Sequence, residues 1–306
     1  MKSAIITGPT GAIGSALTRA LVNKGIKVYA VCRPGSKRLD NLPQSELLQI
    51  VESDVSDLRS VADKITEKVD VFYHFAWAGT FGDVRNNMPL QVQNIQYTLD
   101  AVELAHSLQC NTFVGAGSQA EYGRVEGMLN GSVVTNPENG YGMAKLSAGQ
   151  MSRVVCQRYG IKHIWTRILS VYGPFDGEYT MVMSTIGKLL RGEKPSFTKG
   201  EQQWDYLYSV DAAGMMIAVA ERGKDGSIYC FGSGQAKPLK DYITTIQKYT
   251  NPQAELGLGD VPYSEKQVMF LCADISDLQN DTGFECKYNF EEGIQETIKW
   301  YQENRL

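Results

Sequence analysis

The chain has 306 residues, 43% hydrophobic and 21% charged, with 30 Gly and 10 Pro, a usage that fits one large globular domain or a core carrying a smaller appended region. That usage excludes disordered, collagen-like and disulfide-scaffold classes. The 30 Lys and Arg stand against 34 Asp and Glu, a net charge of −4 with no long basic block, so no nucleic-acid footprint is written here.

From the N-terminus, short apolar runs alternate with helical patterns. Strands are expected over 3–7, 27–32, 47–51, 69–75, 112–117 and 162–168. Between the first two, Ala12, Ile13, Ala16, Leu17, Ala20 and Leu21 recur at the period of one helix face, and Gly25 marks the stop. Helices are expected over 89–108 and about 138–159, the second with an apolar stripe of Ala144, Ala148, Met151 and Val155. After about residue 169 the alternation gives way to shorter elements and to the aromatic cluster 204–208. Residues 209–228 read as a helix leading to a further strand, and Ile294, Thr297, Ile298 and Tyr301 give the last helix a docking face.

This pattern predicts an α/β fold, a doubly wound parallel sheet of the Rossmann kind with a smaller C-terminal substrate-binding region. Residues 1–169 are expected to form the nucleotide-binding domain, completed by about 205–232. The rest of 170–306 forms the discontinuous substrate region. No signal-peptide pattern opens the chain and no run reaches the ~18 apolar residues of a membrane span, so a cytosolic protein with no membrane partner is expected. Its six cysteines are scattered, and His74, His106 and His163 are isolated, which predicts reduced thiols and no metal.

The first chemical motif is Gly8-Pro9-Thr10-Gly11-Ala12-Ile13-Gly14, directly after a strand and opening a helix. Without side chains, such a loop lets a pyrophosphate approach the backbone, and the helix N-terminus supplies N–H donors and the positive end of its dipole. The spacing resembles the Thr-Gly-x-x-Gly-x-x-Gly of the extended short-chain dehydrogenase/reductase family. The resemblance continues through Asp54-Val55, His74-Phe75-Ala76, Ser118-Gln119-Ala120-Glu121-Tyr122-Gly123, Tyr141-Gly142-Met143-Ala144-Lys145 and Val171-Tyr172-Gly173-Pro174. It points to the nucleotide-sugar epimerase, dehydratase and reductase branch. By this resemblance Asp54 and Val55 contact adenine, and Phe75, Ala76 and Leu169 line the cofactor. Ser170 and Trp204 face the substrate, and the protein is expected to be a homodimer.

NAD-binding strands end in an acid that accepts from the ribose hydroxyls and repels a 2′-phosphate. Here the second strand runs instead into Cys32-Arg33-Pro34-Gly35-Ser36-Lys37-Arg38. Arg33, a fork suited to phosphate, favours NADP(H), with NAD(H) the alternative; Lys37 and Arg38 read as a solvated loop.

Tyr141 and Lys145 lie one helical turn apart and project from the same face. A free phenol has a pKa of ~10, and a nearby ammonium favours its phenolate. By resemblance, Lys145 also holds the nicotinamide ribose, Tyr141 exchanges the proton at the reacting oxygen, and Ser118, after the fifth strand, hydrogen-bonds that oxygen. Dehydratases of this branch carry an Asp-Glu pair after the Ser/Thr, where this chain has Gln119 and Ala120. Glu121 comes one place late, which on extended backbone reverses the side chain's direction. The sequence therefore points to an NADPH-dependent reductase of a 4-keto nucleotide sugar. A 4-epimerase is the alternative, and a non-catalytic NADP sensor or scaffold, which typically loses the Tyr or Lys, ranks below both. An arginine that grips the diphosphate in many members is replaced by Trp204. Arg85 and Arg191 are the candidates to supply that charge, the alternative being that Trp204 is simply a core residue.

Overall fold

A computed structural model describes residues 1–305. Its first half runs β1 (Ser3–Thr7), α1 (Ala12–Asn23), β2 (Lys27–Cys32), β3 (Leu48–Glu52), β4 (Val71–His74), α2 (Met88–Ser107), β5 (Thr112–Ser118), α3 (Gly140–Tyr159) and β6 (Lys162–Ile168). Shorter pieces follow: β7 (Ser170–Tyr172), α4 (Met181–Leu190), β8 (Ser196–Phe197), β9 (Gln203–Trp204), β10 (Tyr206–Tyr208), α5 (Ser209–Arg222) and β11 (Ile228–Phe231). The chain ends with β12 (Lys237–Pro238), α6 (Leu239–Thr250), β13 (Gly257–Leu258), β14 (Phe270–Leu271), α7 (Ser276–Thr282) and α8 (Phe290–Arg305). No helix among the described residues is long and apolar enough to cross a membrane.

Seven parallel strands form one sheet in the order β11-β6-β5-β4-β1-β2-β3. The strand order reverses beside β1, so the C-terminal ends of β1 and β4 open the crevice where doubly wound sheets take ligands. The central strands are largely apolar because both faces are covered, whereas the edge strand β3 exposes Gln49, Ile50 and Glu52. Ile5, Tyr29, Phe72 and Phe113 pack with Ala101, Val102 and Ala105 of α2. Ile6, Val28, Tyr73 and Val114 pack on the other side with Leu17 and Leu21 of α1 and Met215, Met216 and Val219 of α5. A separate core joins Tyr172 and Tyr208 to α4, α6 and α8 through Ile186, Leu189, Ile246, Ile294 and Ile298.

The expected stripe on α3 is shifted. Ala144 and Ala148 are buried as expected, but Met151 is exposed and Val155 only partly buried, and the helix also buries Lys145, Gly149, Ser152 and Cys156. The cause is Trp165 on β6: a Cβ at Gly149 would stand 2.6 Å from its indole, so only a face of small residues lies there. Asn139 caps the helix by accepting from the Gly142 N–H.

Two buried histidines are held neutral. His74 lies between the hydroxyls of Thr7 (2.9 Å) and Thr98 (3.4 Å), and burial, with the charge of Lys145, lowers its pKa to about 3. His163 meets the Ser152 hydroxyl at 2.9 Å and is lowered to about 4, chiefly by burial. Below an unfolded pKa of about 6.5 the unfolded chain protonates first, so both histidines cost stability as the pH falls from there towards their folded values. The urea midpoint is therefore expected to drop between pH 7 and 4.5, and to drop less in His163→Gln. An equal drop in both proteins would show that His163 carries none of the acid sensitivity.

Candidate active site

The glycines at the end of β1 divide the work. Gly8 has φ +70°, and a Cβ there would stand 2.9 Å from the Ala76 N; a Cβ at Gly14 would stand 2.3 Å from the Gly8 carbonyl. Both positions are closed to side chains by backbone. Gly11 is different, because its Cβ would meet nothing nearer than 3.9 Å. It starts α1 with no side-chain cap, and beside it the Thr10 carbonyl accepts from Asn41 Nδ2 (2.8 Å). The open side of Gly11, with the uncapped first turn of Ala12 and Ile13, fits a pyrophosphate.

Further along the crevice, Arg33 is exposed just beyond β2, where no carboxylate side chain ends the strand. Asp54 follows β3 and accepts from the Ser56 N–H (3.0 Å) and hydroxyl (2.8 Å). These bonds, and the charge of nearby Arg33, hold its carboxyl below the usual range. Val55 is half-buried in the turn that Asp54 caps. Phe75 and Ala76, also half-buried, are tied to β1 through the Thr7 carbonyl (3.1 Å) and hydroxyl (3.4 Å). Leu169 is buried after β6, its N–H donating to the Phe231 carbonyl (2.9 Å). The next residue, Ser170, accepts from Trp204 Nε1 at 2.8 Å, which brings the two substrate candidates into contact.

Ser118 ends β5, and Tyr141 and Lys145 stand in the first half of α3 beside it. Burial raises the Tyr141 phenol, while a hydrogen bond with Ser118 and the charge of Arg85 act the other way. Lys145 is buried, and the lost hydration pulls its pKa down to about 7. Its Nζ donates to the Ala116 carbonyl (2.6 Å) and lies 3.7 Å from the centre of the Trp77 ring. Glu121 is fully buried beside this group, and its charge acts upward on both Tyr141 and Lys145. Its Oε1 accepts from the Ser118 N–H (2.8 Å) and Trp165 Nε1 (3.0 Å), and its Oε2 from Arg167 Nε (2.8 Å). The late position of this acid thus makes it structural.

Residues that the sequence reading missed complete the site. The Trp77 indole meets Tyr141 edge-on at 6.1 Å and donates to Gln91 (3.0 Å). Gln91 and Asn94 are buried amides on α2; Asn94 exchanges two hydrogen bonds with the backbone of Ala78 (3.0 and 2.8 Å). Two amides three residues apart on an otherwise core-facing helix were the only signal for this arrangement. Arg85, named in the sequence as a candidate to supply charge to the diphosphate, places its Cζ 4.8 Å from the centre of the Tyr141 ring.

A doubly wound sheet with an open glycine loop and a Ser-Tyr-Lys group at the end of β5 defines an extended short-chain dehydrogenase/reductase. The NAD dependent epimerase/dehydratase family pattern matches residues 4–232, and the chain belongs to that family. It is 25% identical to human (Homo sapiens) dTDP-D-glucose 4,6-dehydratase over 99% of this chain and 91% of that one. UDP-N-acetylglucosamine 4-epimerase from Methanobrevibacter ruminantium, solved with UDP-N-acetylmuramic acid, is 25% identical with a TM-score of 0.89, covering 99% of this chain and 98% of its own. UDP-glucuronic acid 4-epimerase from Bacillus cereus, solved with NAD, shares the fold at 20% identity and a TM-score of 0.84, over 98% and 99% of the two chains.

The buried Glu121–Arg167 pair generates a stability prediction. Glu121→Ala strands the guanidinium and frees the Ser118 N–H, and loss of one partner of a buried pair costs about 3–5 kcal/mol. Denaturant unfolding is expected to show that loss, with Glu121→Ala/Arg167→Met recovering part of it. A cost below about 1 kcal/mol, the range of an exposed pair, would show that the joint is not a constraint.

Proposed function

We propose that the protein is a nucleotide-sugar 4-epimerase that uses Ser118, Tyr141 and Lys145 at the sugar C4. The observation that carries this reading is that both carboxylate oxygens of Glu121 are occupied. With that acid committed to Arg167, and Gln119 and Ala120 at the positions after Ser118, the site lacks the acid–base pair that 4,6-elimination needs. Membership of an epimerase/dehydratase family then leaves exchange at C4 as the better fit.

In this reading the Ser118 hydroxyl holds the C4 oxygen, and Tyr141 takes its proton as the phenolate in one direction and returns it as the phenol in the other. Burial raises the Tyr141 phenol in the ligand-free protein, while its hydrogen bond with Ser118 and the charge of Arg85 work towards the phenolate that the proton step needs. A nicotinamide, when bound, supplies the hydride chemistry. Gly11, Ala12, Ile13, Asp54, Val55, Phe75 and Ala76 would hold the dinucleotide, and the NAD seen with the Bacillus cereus epimerase favours NAD(H). Ser170 and Trp204 would face the sugar nucleotide.

A second reading, net reduction of a 4-keto nucleotide sugar by NADPH, is favoured by one observation: Arg33 stands exposed where NAD enzymes carry an acid. We also propose a homodimer. Met88 and Val92 on α2, and Met143, Met151 and Val154 on α3, are exposed apolar side chains on helices that a second copy would cover. Sedimentation equilibrium is expected to give a dimer, weakened by Val92→Glu; a monomer at micromolar concentration would rule it out.

Stoichiometry separates the two catalytic readings. An epimerase is expected to equilibrate 4-hydroxy nucleotide sugars without added cofactor, to retain its nicotinamide through purification, and to lose about 10²–10⁴-fold in rate in Tyr141→Phe. Consumption of one NADPH per 4-keto sugar, with a preference for NADPH erased by Arg33→Ala, would overturn the epimerase in favour of the reductase. Normal turnover in Tyr141→Phe would overturn both.

A further inference from the structure

We propose that Arg85 binds an anionic oxygen of the substrate beside the catalytic tyrosine, supplied either by the nucleotide diphosphate or by a carboxylate on the sugar. This rests on the nucleotide-sugar reading above and assigns part of its recognition.

Arg85 belongs to a 3-10 turn, Gly82–Asn86, anchored on either side of it at Val84 and Asn86. The Val84 carbonyl accepts from the buried Gln91 amide (3.3 Å), and Asn86 Oδ1 accepts from the Gly140 N–H (3.0 Å). The turn lies so close to the start of α3 that a Cβ at Gly140 would stand 3.0 Å from the Arg85 carbonyl. Arg85 is therefore held at Tyr141 by contacts of its two neighbours with α2 and α3.

The guanidinium itself is under-used. One face lies over the Tyr141 ring, but its Nε is buried without a partner. The arginines that form ion pairs among the described residues are Arg59, Arg124, Arg167, Arg191, Arg222 and Arg305; Arg85 is not one of them. Contact with an aromatic ring satisfies the π-face and leaves the N–H donors free, and a buried Nε without an acceptor is costly unless a ligand supplies one. Phosphate and carboxylate are the groups whose geometry matches it.

The other candidate cations are engaged. Lys145 Nζ is committed to the Ala116 carbonyl and the Trp77 face, and Arg191 pairs with Glu193 (2.7 Å). Trp204 is uncharged, and its single donor goes to Ser170. Arg85 is the cation that faces Tyr141 with donors to spare.

The test is calorimetric titration of the unaltered protein, Arg85→Gln and Arg85→Lys. The ligands are UDP, dTDP, CDP and GDP, then the neutral hexose and the uronic acid of whichever nucleotide binds. Arg85→Gln is expected to weaken binding about tenfold or more, with Arg85→Lys between, because one charge-assisted contact is lost. Weakening that already appears with the bare nucleoside diphosphate identifies the diphosphate as the acceptor; weakening confined to the uronic acid identifies the carboxylate. Unchanged affinity for every ligand in a folded Arg85→Gln overturns the proposal even if the pH–rate profile moves, since Arg85 would then act on Tyr141 alone. Failure of the unaltered protein to bind any of these ligands would instead defeat the nucleotide-sugar reading, and this proposal with it.

Discussion

A carboxylate without solvent exposure joins β5 to β6. Glu121 has one oxygen on the Ser118 N–H and the Trp165 indole and the other on Arg167, whose guanidinium lies over the Tyr122 ring at 4.5 Å. Removing an ionised group from water is tolerable only when its acceptors are met, so these bonds have to form together. They set the backbone at Ser118, which accepts in turn from the Ala120 N–H (3.2 Å) in a reciprocal cap. The same indole that feeds Glu121 lies on Gly149 and dictates which face of α3 approaches the sheet. That face carries Lys145 inward. The placement of the Ser-Tyr-Lys group and the absence of a spare acid are two results of one joint.

The opposite wall depends on α2. Gln91 and Asn94 are buried on a helix whose neighbouring inward residues are small or apolar, and their donors and acceptors go to the segment after β4. A loop at that sheet edge would otherwise be the most mobile part of the crevice. Pinned by amides, it presents Trp77 to Lys145 and Arg85 to Tyr141 as fixed surfaces. Burial lowers Lys145 to about 7, and the Trp77 face and Ala116 carbonyl give its ammonium partners in the ligand-free protein.

The sheet was legible because both of its faces are buried, leaving uninterrupted apolar runs such as Ala4-Ile5-Ile6 and Val71-Phe72-Tyr73. The glycine loop was legible because its spacing has a single backbone use. The α3 stripe was misread because hydropathy ranks Met151 above Gly149, while the packing partner, Trp165, ranks them the other way. Trp77 and Arg85 gave no periodic signal; their roles come from contacts across the chain with α3. Asp205, next to Trp204, shows the same limit. It accepts from Ser233, Gly234 and Ala273, partners distant in sequence that close the turn after β11.

The two catalytic readings differ in features of unequal physical weight. Reaction type is bound up with Glu121, a buried charge whose direction cannot change without stranding Arg167. Cofactor choice lies with Arg33, an exposed residue on a loop, partly answered by the nearby charge of Asp54. Exposed charge pairs are worth about 0–1 kcal/mol and are screened by salt, so a 2′-phosphate preference there is cheap to acquire or lose. Preference for NADP(H) and net reduction are consequently separable properties of this fold. In both proposed readings the groups at the reacting carbon are set by the interior, and the dinucleotide preference by the rim.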